Sequence, residues 1–408
     1  MNKKKTLWTK NFTIITLGTM ISSIGGVAMN LGLSLVVFDQ TQSTWLSGVY
    51  AAISMLPGLV LPILLGPMID RVNRKHIIVS LDAFSGVWYL AFLWYIHRYG
   101  FVYSAYLVFS LVIGCIASVY NLAYECLYPD LIPEGFAQKG YAVSGAIYPL
   151  ATTVVTPLAA LVYGRWGVEV LILAEGCLLL LASAFESQID YVHERKQDAQ
   201  NFAQYKADLL EGFHYLQKEK GVRSIYNYMT LSSATGNGVG MMALAYFQSS
   251  SVLTTAMYGL LSSAETIGRL IGSAVHYLFK IPEEKRYKLT VCVYALYSVC
   301  DGAMLFLAYP LMLAVRFLCG FLGSQTAAIR QAAVQNYLPA DMRARVNGVF
   351  SMLVSVGMLA VQLVVGALGE LLPYGMVALL LCLFTLVMMW ALIVRRRRQV
   401  EPVYNRKV

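Results

Sequence analysis

Five ionisable side chains lie inside long apolar stretches of the sequence, where a charge is costly: Glu175, Glu265, Arg269, Asp301 and Arg316. A charge in such surroundings is paired with an opposite charge, or it belongs to a group that exchanges protons. Two kinds of chemistry therefore remain open. In the first, the residues form a structural network of ion pairs. In the second, one acid exchanges a proton as a small molecule binds, and Glu265 is the first candidate for this acid, followed by Asp301.

The positions of these charges along their helices predict which of them meet. At about 1.5 Å of rise per residue, Arg269 and Asp301 come level on neighbouring antiparallel helices. Glu265, four residues before Arg269, comes level with Arg316 by the same count. We therefore expect the pairs Arg269–Asp301 and Glu265–Arg316, with Glu175 facing a separate polar partner.

A second concentration of charge is the stretch GPMIDRVNRKHII, residues 66–78. It places Asp70, Arg71, Arg74 and Lys75 at the end of an apolar run. A carboxylate at the end of one helix is stabilised by the positive N-terminal end of another helix. The alternative is a plain anchor of basic residues on the cytoplasmic side, which does not require the acid.

The composition identifies the elements that position these residues. The chain has 408 residues, of which 58% are hydrophobic and 13% are charged, whereas soluble domains carry about 25% charged residues. An average this apolar requires many membrane-spanning segments. The net charge of +9 is spread along one membrane face, so we expect a lipid bilayer as partner and no nucleic acid.

Breaks between the apolar runs predict twelve transmembrane helices. The predicted spans are 12–37, 45–67, 77–96, 102–123, 141–163, 168–186, 224–247, 255–278, 289–308, 311–329, 346–369 and 373–394. They divide the chain into an N-terminal half (1–185), a linker with an amphipathic helix (186–223), a C-terminal half (224–394) and a basic tail (395–408). Nearly all Lys and Arg fall on one side, which predicts a cytoplasmic membrane protein with both termini cytoplasmic.

The two predicted halves are related in sequence. LIPEGFAQKGYAV (131–143) aligns with YLPADMRARVNGV (337–349), and at the same shift Gly66 aligns with Gly272 and Gly114 with Gly320. Such repeats are typical of carriers whose two halves enclose one path and rock against each other.

The stretch from Gly66 to Lys75 resembles the loop signature of the major facilitator superfamily, G-x-x-x-D-R-x-G-R-R/K. Asn73 stands where the signature prefers glycine, a compatible exchange because asparagine also adopts left-handed backbone. The length, the twelve spans, the half-repeat and the long linker extend the resemblance over the whole chain. It implies an all-α integral membrane fold, with twelve transmembrane helices in two pseudo-symmetric six-helix halves.

The resemblance also implies roles for the charged cluster. Asp70 is expected against the N-terminal end of the eleventh span, near Arg345. Arg71, Arg74 and Lys75 are expected to hold lipid headgroups or the carboxylate of Glu125, which closes the fourth span on the same face. Together with Gly66 they would latch the cytoplasmic side.

The helices that line the path in this superfamily are the first, fourth, seventh and tenth, joined here by the eleventh. They offer uncharged polar or aromatic groups, to which Tyr148 of the fifth span is added as an aromatic ring that could stack on a substrate: Asn30, Asn121, Tyr120, Ser233, Asn237, Tyr246, Gln325 and Gln362. The tyrosines are open to a second interpretation, because an aromatic belt at the membrane surface has the same composition. A path with amides, aromatics and few charges is suited to amphipathic organic molecules.

Two short motifs favour export. TPLAA (156–160) resembles a degraded antiporter signature, and LLEGFHYL (209–216) resembles the segment before the seventh span in exporters of macrolides and siderophores. We therefore expect a monomeric secondary transporter that exports amphipathic organic molecules or drugs in exchange for protons. The alternatives are export of siderophores or lipid precursors, and uptake. No Cys/His metal spacing and no convergent nucleophile and base are present, so we expect no enzyme, no metal and no cofactor.

Overall fold

The computed structural model describes residues 6–69, 72–133, 136–191, 202–278, 282–339 and 342–405. Every regular element in these ranges is a helix. The α-helices are α1 (Lys10–Thr41), α2 (Thr44–Ile69), α3 (Arg74–Tyr99), α4 (Tyr103–Leu131), α5 (Ala137–Trp166), α6 (Val168–Glu186), α7 (Phe202–Lys218), α8 (Lys220–Ser249), α9 (Thr255–Leu278), α10 (Glu283–Ala303), α11 (Tyr309–Tyr337), α12 (Arg343–Leu371), α13 (Tyr374–Met389) and α14 (Arg397–Tyr404).

The twelve predicted spans correspond to α1–α6 and α8–α13. Within the described residues, nine of these helices are long and apolar enough to cross a membrane. The other three, α8, α9 and α11, have the necessary length but carry more polar side chains, including Glu265, Arg269 and Arg316. The polar character of these three helices places the charged residues inside the helical bundle. The chain is a multi-pass membrane protein.

Two tight connections depend on glycine. Gly100 follows α3 with φ 71° and Gly167 follows α5 with φ 75°, a backbone region that side chains with a Cβ rarely adopt. Each glycine donates its N–H to the carbonyl four residues earlier, Gly100 to Ile96 and Gly167 to Tyr163, both at 2.8 Å. These bonds end the helices and let α4 and α6 begin within a few residues.

The chain forms two compact units. One contains residues 1–41 and 53–202, and the other contains residues 42–52 and 203–408. The first turns of α2 therefore belong to the second unit, although the sequence grouped them with the N-terminal half. Thr44 donates to the carbonyl of Gly366 at 2.7 Å, which ties these turns to α12.

Small residues bring the helices of each unit together. In the first unit, α6 packs on α1 and α3, and a Cβ on Gly86 of α3 would lie 2.9 Å from the carbonyl of Gly176. In the second unit, Gly268 and Gly272 of α9 lie against the backbone of α11 at Phe317 and Phe321. Small residues four apart permit this close approach of membrane helices. The close approach of α9 and α11 positions the charged residues described below.

The linker and the C-terminal tail are more structured than the sequence indicated. The amphipathic helix of the linker is α7, and its apolar residues divide: Leu209 and Leu216 join the core of the second unit, while Leu210 and Phe213 are exposed. In the tail, α14 buries Val400, Val403 and Tyr404 in the same core. The tail is thus a packed part of the second unit rather than a free basic segment.

Candidate ion and substrate sites

Two acids and two arginines form a continuous network in the second unit. Arg316 of α11 contacts both acids: its Nε lies 2.9 Å from Oε2 of Glu265, and its Nη1 lies 2.6 Å from Oδ1 of Asp301. Arg269 donates to the other oxygen, Oε1, of Glu265. Two negative and two positive charges meet, so the network is neutral as a whole.

The network confirms one expected pair and corrects the other. Glu265 and Arg316 are in contact, as their depths in the membrane indicated. Asp301 pairs with Arg316 instead of Arg269, because the guanidinium of Arg316 reaches Glu265 of α9 through Nε and Asp301 of α10 through Nη1. The side chain of Arg269 is 61% exposed whereas that of Arg316 is 14% exposed. Arg269 thus contacts the network at its more exposed end.

A narrow cleft of about 10 Å³, roughly the space of one water molecule, lies beside Asp301, between α8, α10 and α13. Its polar lining residues are Ser232, Thr235, Tyr297, Ser298, Asp301 and Thr385. Thr235 and Thr385 share a hydrogen bond of 2.9 Å, while the hydroxyl of Ser298 is buried without a partner among the described residues. The cleft combines hydroxyl groups, one carboxylate and apolar walls.

The residues predicted to line a substrate path have different environments. Gln362 donates to Asn237 at 2.8 Å, joining α12 to α8. Gln325 is buried and donates to the carbonyl of Gly272, which makes it a tie between α11 and α9. Asn30, Asn121 and Tyr148 are exposed, and Ser233 and Tyr246 are half-buried. None of these nine residues lines the cleft beside Asp301.

Tyr120 and Glu175 belong to a second acidic group, in the first unit. Tyr120 of α4 donates to Oε1 of Glu186 at 3.3 Å, and Ser22 of α1 donates to Oδ2 of Asp82 at 3.4 Å. Asp82, Glu175 and Glu186 are all buried. Here no arginine or lysine joins the acids in a described ion pair.

Asp82 and Glu186 are sites that the sequence interpretation missed. Asp82 lies within the third predicted span and meets the same criterion of a charge in an apolar run that selected Glu175. Glu186 falls at the predicted end of the sixth span, where a charge usually reaches water, and nothing in the sequence indicates that it is buried. The structure buries it completely, since α1 and α4 cover the end of α6.

The charged cluster at residues 66–78 is described in part. Gly66 lies in α2, and Asp70 and Arg71 lie outside the described residues. Arg74 is buried, and its Nη1 lies 3.0 Å from Oδ2 of Asp130, a residue that the sequence interpretation did not single out. Lys75 is half-buried, and Glu125, the expected partner, is exposed and has no described ion pair.

Asp130 has a second partner besides Arg74. Tyr191 donates to the same oxygen of Asp130 at 2.9 Å. The pKa of Tyr191 is raised mainly by burial and also by its hydrogen bond to the negative Asp130. Arg74 and Tyr191 therefore join the start of α3 and the segment after α6 to the end of α4.

Asn73 has a different role from the one expected. Its φ is −66° and its backbone is extended, so it does not adopt the left-handed conformation. Its side chain instead accepts hydrogen bonds from the N–H groups of Lys75, at 3.1 Å, and His76, at 3.5 Å. Asn73 is the N-cap of α3.

Comparisons with known proteins agree with this architecture. The model of the Major Facilitator Superfamily matches residues 227–407. No curated protein matches the chain by sequence.

Solved structures match the chain over nearly its full length. The nucleoside transporter NupG has a TM-score of 0.72 at 12% identity and covers 95% of this chain and 100% of its own. The POT family transporter PepTSo gives 0.68 at 11% identity, with 96% and 98% covered. A bacterial homolog of the human lysosomal transporter Spinster gives 0.62 at 10% identity, with 97% and 95% covered. The chain has the all-helical fold of these proteins.

Proposed function

We propose that this protein is a secondary active transporter of the major facilitator type, which exports amphipathic organic molecules from the cytoplasm by alternating access. The observation that carries this proposal is the fold, which the chain shares over 95% of its length with a nucleoside transporter. The match of residues 227–407 to the superfamily model supports it independently. A nucleoside carrier and a POT family carrier share this architecture, so the substrate has to be inferred from this chain's own residues.

The cleft beside Asp301 supports the substrate class. Its hydroxyl groups, from Ser232, Thr235, Ser298 and Thr385, are uncharged, and its wall includes the ring of Tyr297. A site with this lining, once widened during the transport cycle, would take molecules with a large apolar surface and a few polar groups. Because Asp301 is paired with Arg316 in a neutral network, the lining favours a neutral or weakly cationic molecule over a phosphorylated one.

Protons are the proposed driving ion, because the described spans bury several carboxylic acids. Acids inside a membrane protein that face its interior are the usual carriers of transported protons. The antiporter-like stretch TPLAA at 156–160 supports exchange over symport. In this proposal both termini are cytoplasmic, because Lys and Arg are concentrated in the segments on their side.

A flux assay with purified protein in liposomes tests the proposal. The probes are ethidium as an amphipathic cation, uridine as a nucleoside and alanyl-alanine as a peptide. We expect ethidium to accumulate when the lumen is acidic and to leave when the gradient is collapsed. The Asp301→Asn variant should lose affinity for ethidium, and Glu169→Gln, an exposed acid on α6, serves as the control.

The other outcomes are equally informative. Accumulation of uridine or alanyl-alanine when the outside is acidic would indicate proton symport, and would replace export with uptake. Movement of none of the three probes under either gradient would contradict the proposed substrate class.

A further inference from the structure

Three acids of the first unit lie along one face of α1. Gly18, Ser22 and Gly25 are spaced by four and three residues, so they share a face of the helix. A Cβ on Gly18 would meet the carboxylate of Glu186, and a Cβ on Gly25 would meet that of Glu175. Ser22, between the two glycines, donates to Asp82. The acids are therefore ordered Glu186, Asp82, Glu175, in steps of about 6 Å and 4.5 Å along the helix axis.

Among the described residues, no Lys, Arg or His forms an ion pair with any of the three acids. Their exposed fractions are 0% for Glu186, 4% for Asp82 and 4% for Glu175. The sequences of α4 and α6 contain no Lys, Arg or His, nor does α1 after its first residue. In the described residues, Oε2 of Glu175 and Oε2 of Glu186 are buried and have no hydrogen-bond partner.

The other titratable groups described near the acids are tyrosines; of the two basic residues of α5, Arg165 is exposed and lies over the ring of Trp166, and the side chain of Lys139 lies outside the described residues. Tyr120 of α4 donates to Glu186, and Tyr124 of the same helix bonds Ser144 of α5 at 3.5 Å. From α3, only Asp82 and two tyrosines lie between His76 and His97. On α5, Tyr163 is bound to Asp39, which lies at the opposite end of α1 from Lys10. No described group can neutralise three carboxylates.

A buried carboxylate without a partner is stable only if it holds a proton or a bound cation. One cation cannot serve all three acids, because they extend over about 10 Å and oxygen ligands bind a metal such as Ca²⁺ within about 2.6 Å. A row of separate acids is instead the arrangement found where protons move stepwise inside a membrane.

We propose that Glu186, Asp82 and Glu175 form a proton relay within the first unit, which supplies the proton coupling in the proposed function. In each step the next acid has first given up its own proton; the O–H bond of the protonated acid then breaks and, through an intervening water molecule that gains one proton and passes on another, a new O–H bond forms on that ionised carboxylate. The electron pair of the broken bond stays on the donor's oxygen, so one proton moves and nothing is oxidised or reduced. The hydroxyl groups of Tyr120 and Ser22 hold the carboxyls of Glu186 and Asp82 in position.

Infrared spectroscopy of the protein in lipid bilayers tests this relay with protons as the only ligand. Protonated carboxyl groups absorb separately from carboxylates, so their absorption at neutral pH counts the protonated acids. We expect Asp82→Asn, Glu175→Gln and Glu186→Gln each to remove part of that absorption. Glu169→Gln, on the exposed surface of the same helix α6, should leave it unchanged. An absorption that none of the three substitutions reduces would overturn the proposal.

The same measurement separates protons from metal cations. Spectra are recorded at fixed pH in sodium chloride and in choline chloride. An absorption that sodium removes would show that the acids bind this cation, and would also overturn the relay. Equal spectra in the two salts are expected.

Transport then links the relay to the proposed function. In liposomes, Asp82→Asn should abolish the accumulation of ethidium driven by the pH gradient but leave ethidium counterflow exchange intact. Gradient-driven accumulation at the wild-type rate in all three variants would contradict the relay. If the wild-type protein moves no ethidium at all, the proposed substrate fails, while the infrared result still decides whether the acids are protonated. If Glu175→Gln unfolds, Glu175→Asp is measured in its place. It keeps a carboxyl group and should therefore retain the absorption.

Discussion

Glu175 of α6 lies against Gly25 of α1 so closely that a methyl group at residue 25 would overlap its carboxylate. The next glycine along the chain, Gly26, faces open space, with nothing within 4 Å of an added Cβ. Two adjacent glycines on one helix thus have different functions in the fold. One makes room for a buried acid, and the other only lies on the surface.

Replacing Gly25 with alanine should destabilise the protein, because the new methyl group displaces Glu175 and separates α1 from α6. Overpacking of this kind costs about 1–3 kcal/mol. We expect a lower thermal unfolding temperature in detergent for Gly25→Ala and no decrease for Gly26→Ala. Combining Gly25→Ala with Glu175→Ala should recover part of the loss. Equal unfolding temperatures for the two glycine variants would contradict the contact.

Arg316 and Arg269 should contribute unequally to stability, although both bind Glu265. Removing Arg316 leaves Glu265 and Asp301 without their shared partner, and breaking a buried ion pair costs about 3–5 kcal/mol. Arg269 is 61% exposed, against 14% for Arg316, and its removal leaves the contact between Glu265 and Arg316 in place. Thermal unfolding of Arg316→Gln and Arg269→Gln measures the difference.

The double variant Glu265→Gln/Arg316→Gln is the control for this network. The effects of two substitutions on the free energy of unfolding are not additive when the two residues are in direct contact. The double variant should therefore be more stable than the sum of the two single losses predicts. Strict additivity would indicate that Glu265 and Arg316 act independently. A stable Glu265→Gln protein would instead favour the role of Glu265 as an acid that exchanges protons.

The N-cap of α3 should distinguish alanine from glycine at residue 73. Asn73 satisfies the N–H groups of Lys75 and His76, and loss of such a cap to alanine costs about 0.5–2 kcal/mol, whereas glycine costs only a few tenths. We expect Asn73→Ala to lower the unfolding temperature more than Asn73→Gly. The reverse order would indicate a left-handed residue, for which glycine is preferred.

The sequence predicted the fold well because hydrophobic runs of membrane length leave few alternatives. The same apolar environment made the Glu265–Arg316 pair predictable from depth alone, since both side chains must find a partner there. The pairing of Asp301 with Arg316, and not with Arg269, could not be predicted from depth. It depends on the direction in which each side chain leaves its helix, which the depth of a residue does not describe.

Other features were missed because helix ends are poorly defined by sequence. Glu186 is the last residue of the sixth predicted span, and neighbouring helices cover it completely. Residues 395–408 were predicted only as a basic tail, yet the turns after the four arginines bury Val400, Val403 and Tyr404. In both cases the deciding contacts come from distant parts of the chain.

The contact between the N-terminus and the segment after α6 should persist as the pH falls from 7 to 5. Lys10 donates to the carboxylate of Asp190 at 2.8 Å, and this bond lowers the pKa of Asp190. A carboxylate with a lowered folded pKa contributes stability above its unfolded pKa, about 3.9, and loses it only as the pH falls through the lower folded value. The backbone amides at this contact, such as that of Asp190, should therefore be protected from hydrogen exchange to the same degree at pH 7 and pH 5, once the rates are corrected for the intrinsic exchange rate.

Asn11 should be the stronger determinant of the same contact. Its side chain donates to the backbone carbonyl of Asp190 at 2.8 Å and accepts from the N–H of Asp190 at 3.0 Å, and neither bond depends on ionisation. We expect Asn11→Ala to speed hydrogen exchange at the amide of Asp190, as measured by mass spectrometry of the peptide that covers it. Lys10→Ala should change the rate little, because both members of its ion pair are exposed and such pairs contribute weakly. Faster exchange in Lys10→Ala than in Asn11→Ala would show that the ion pair, and not the amide clamp of Asn11, holds the N-terminus in place.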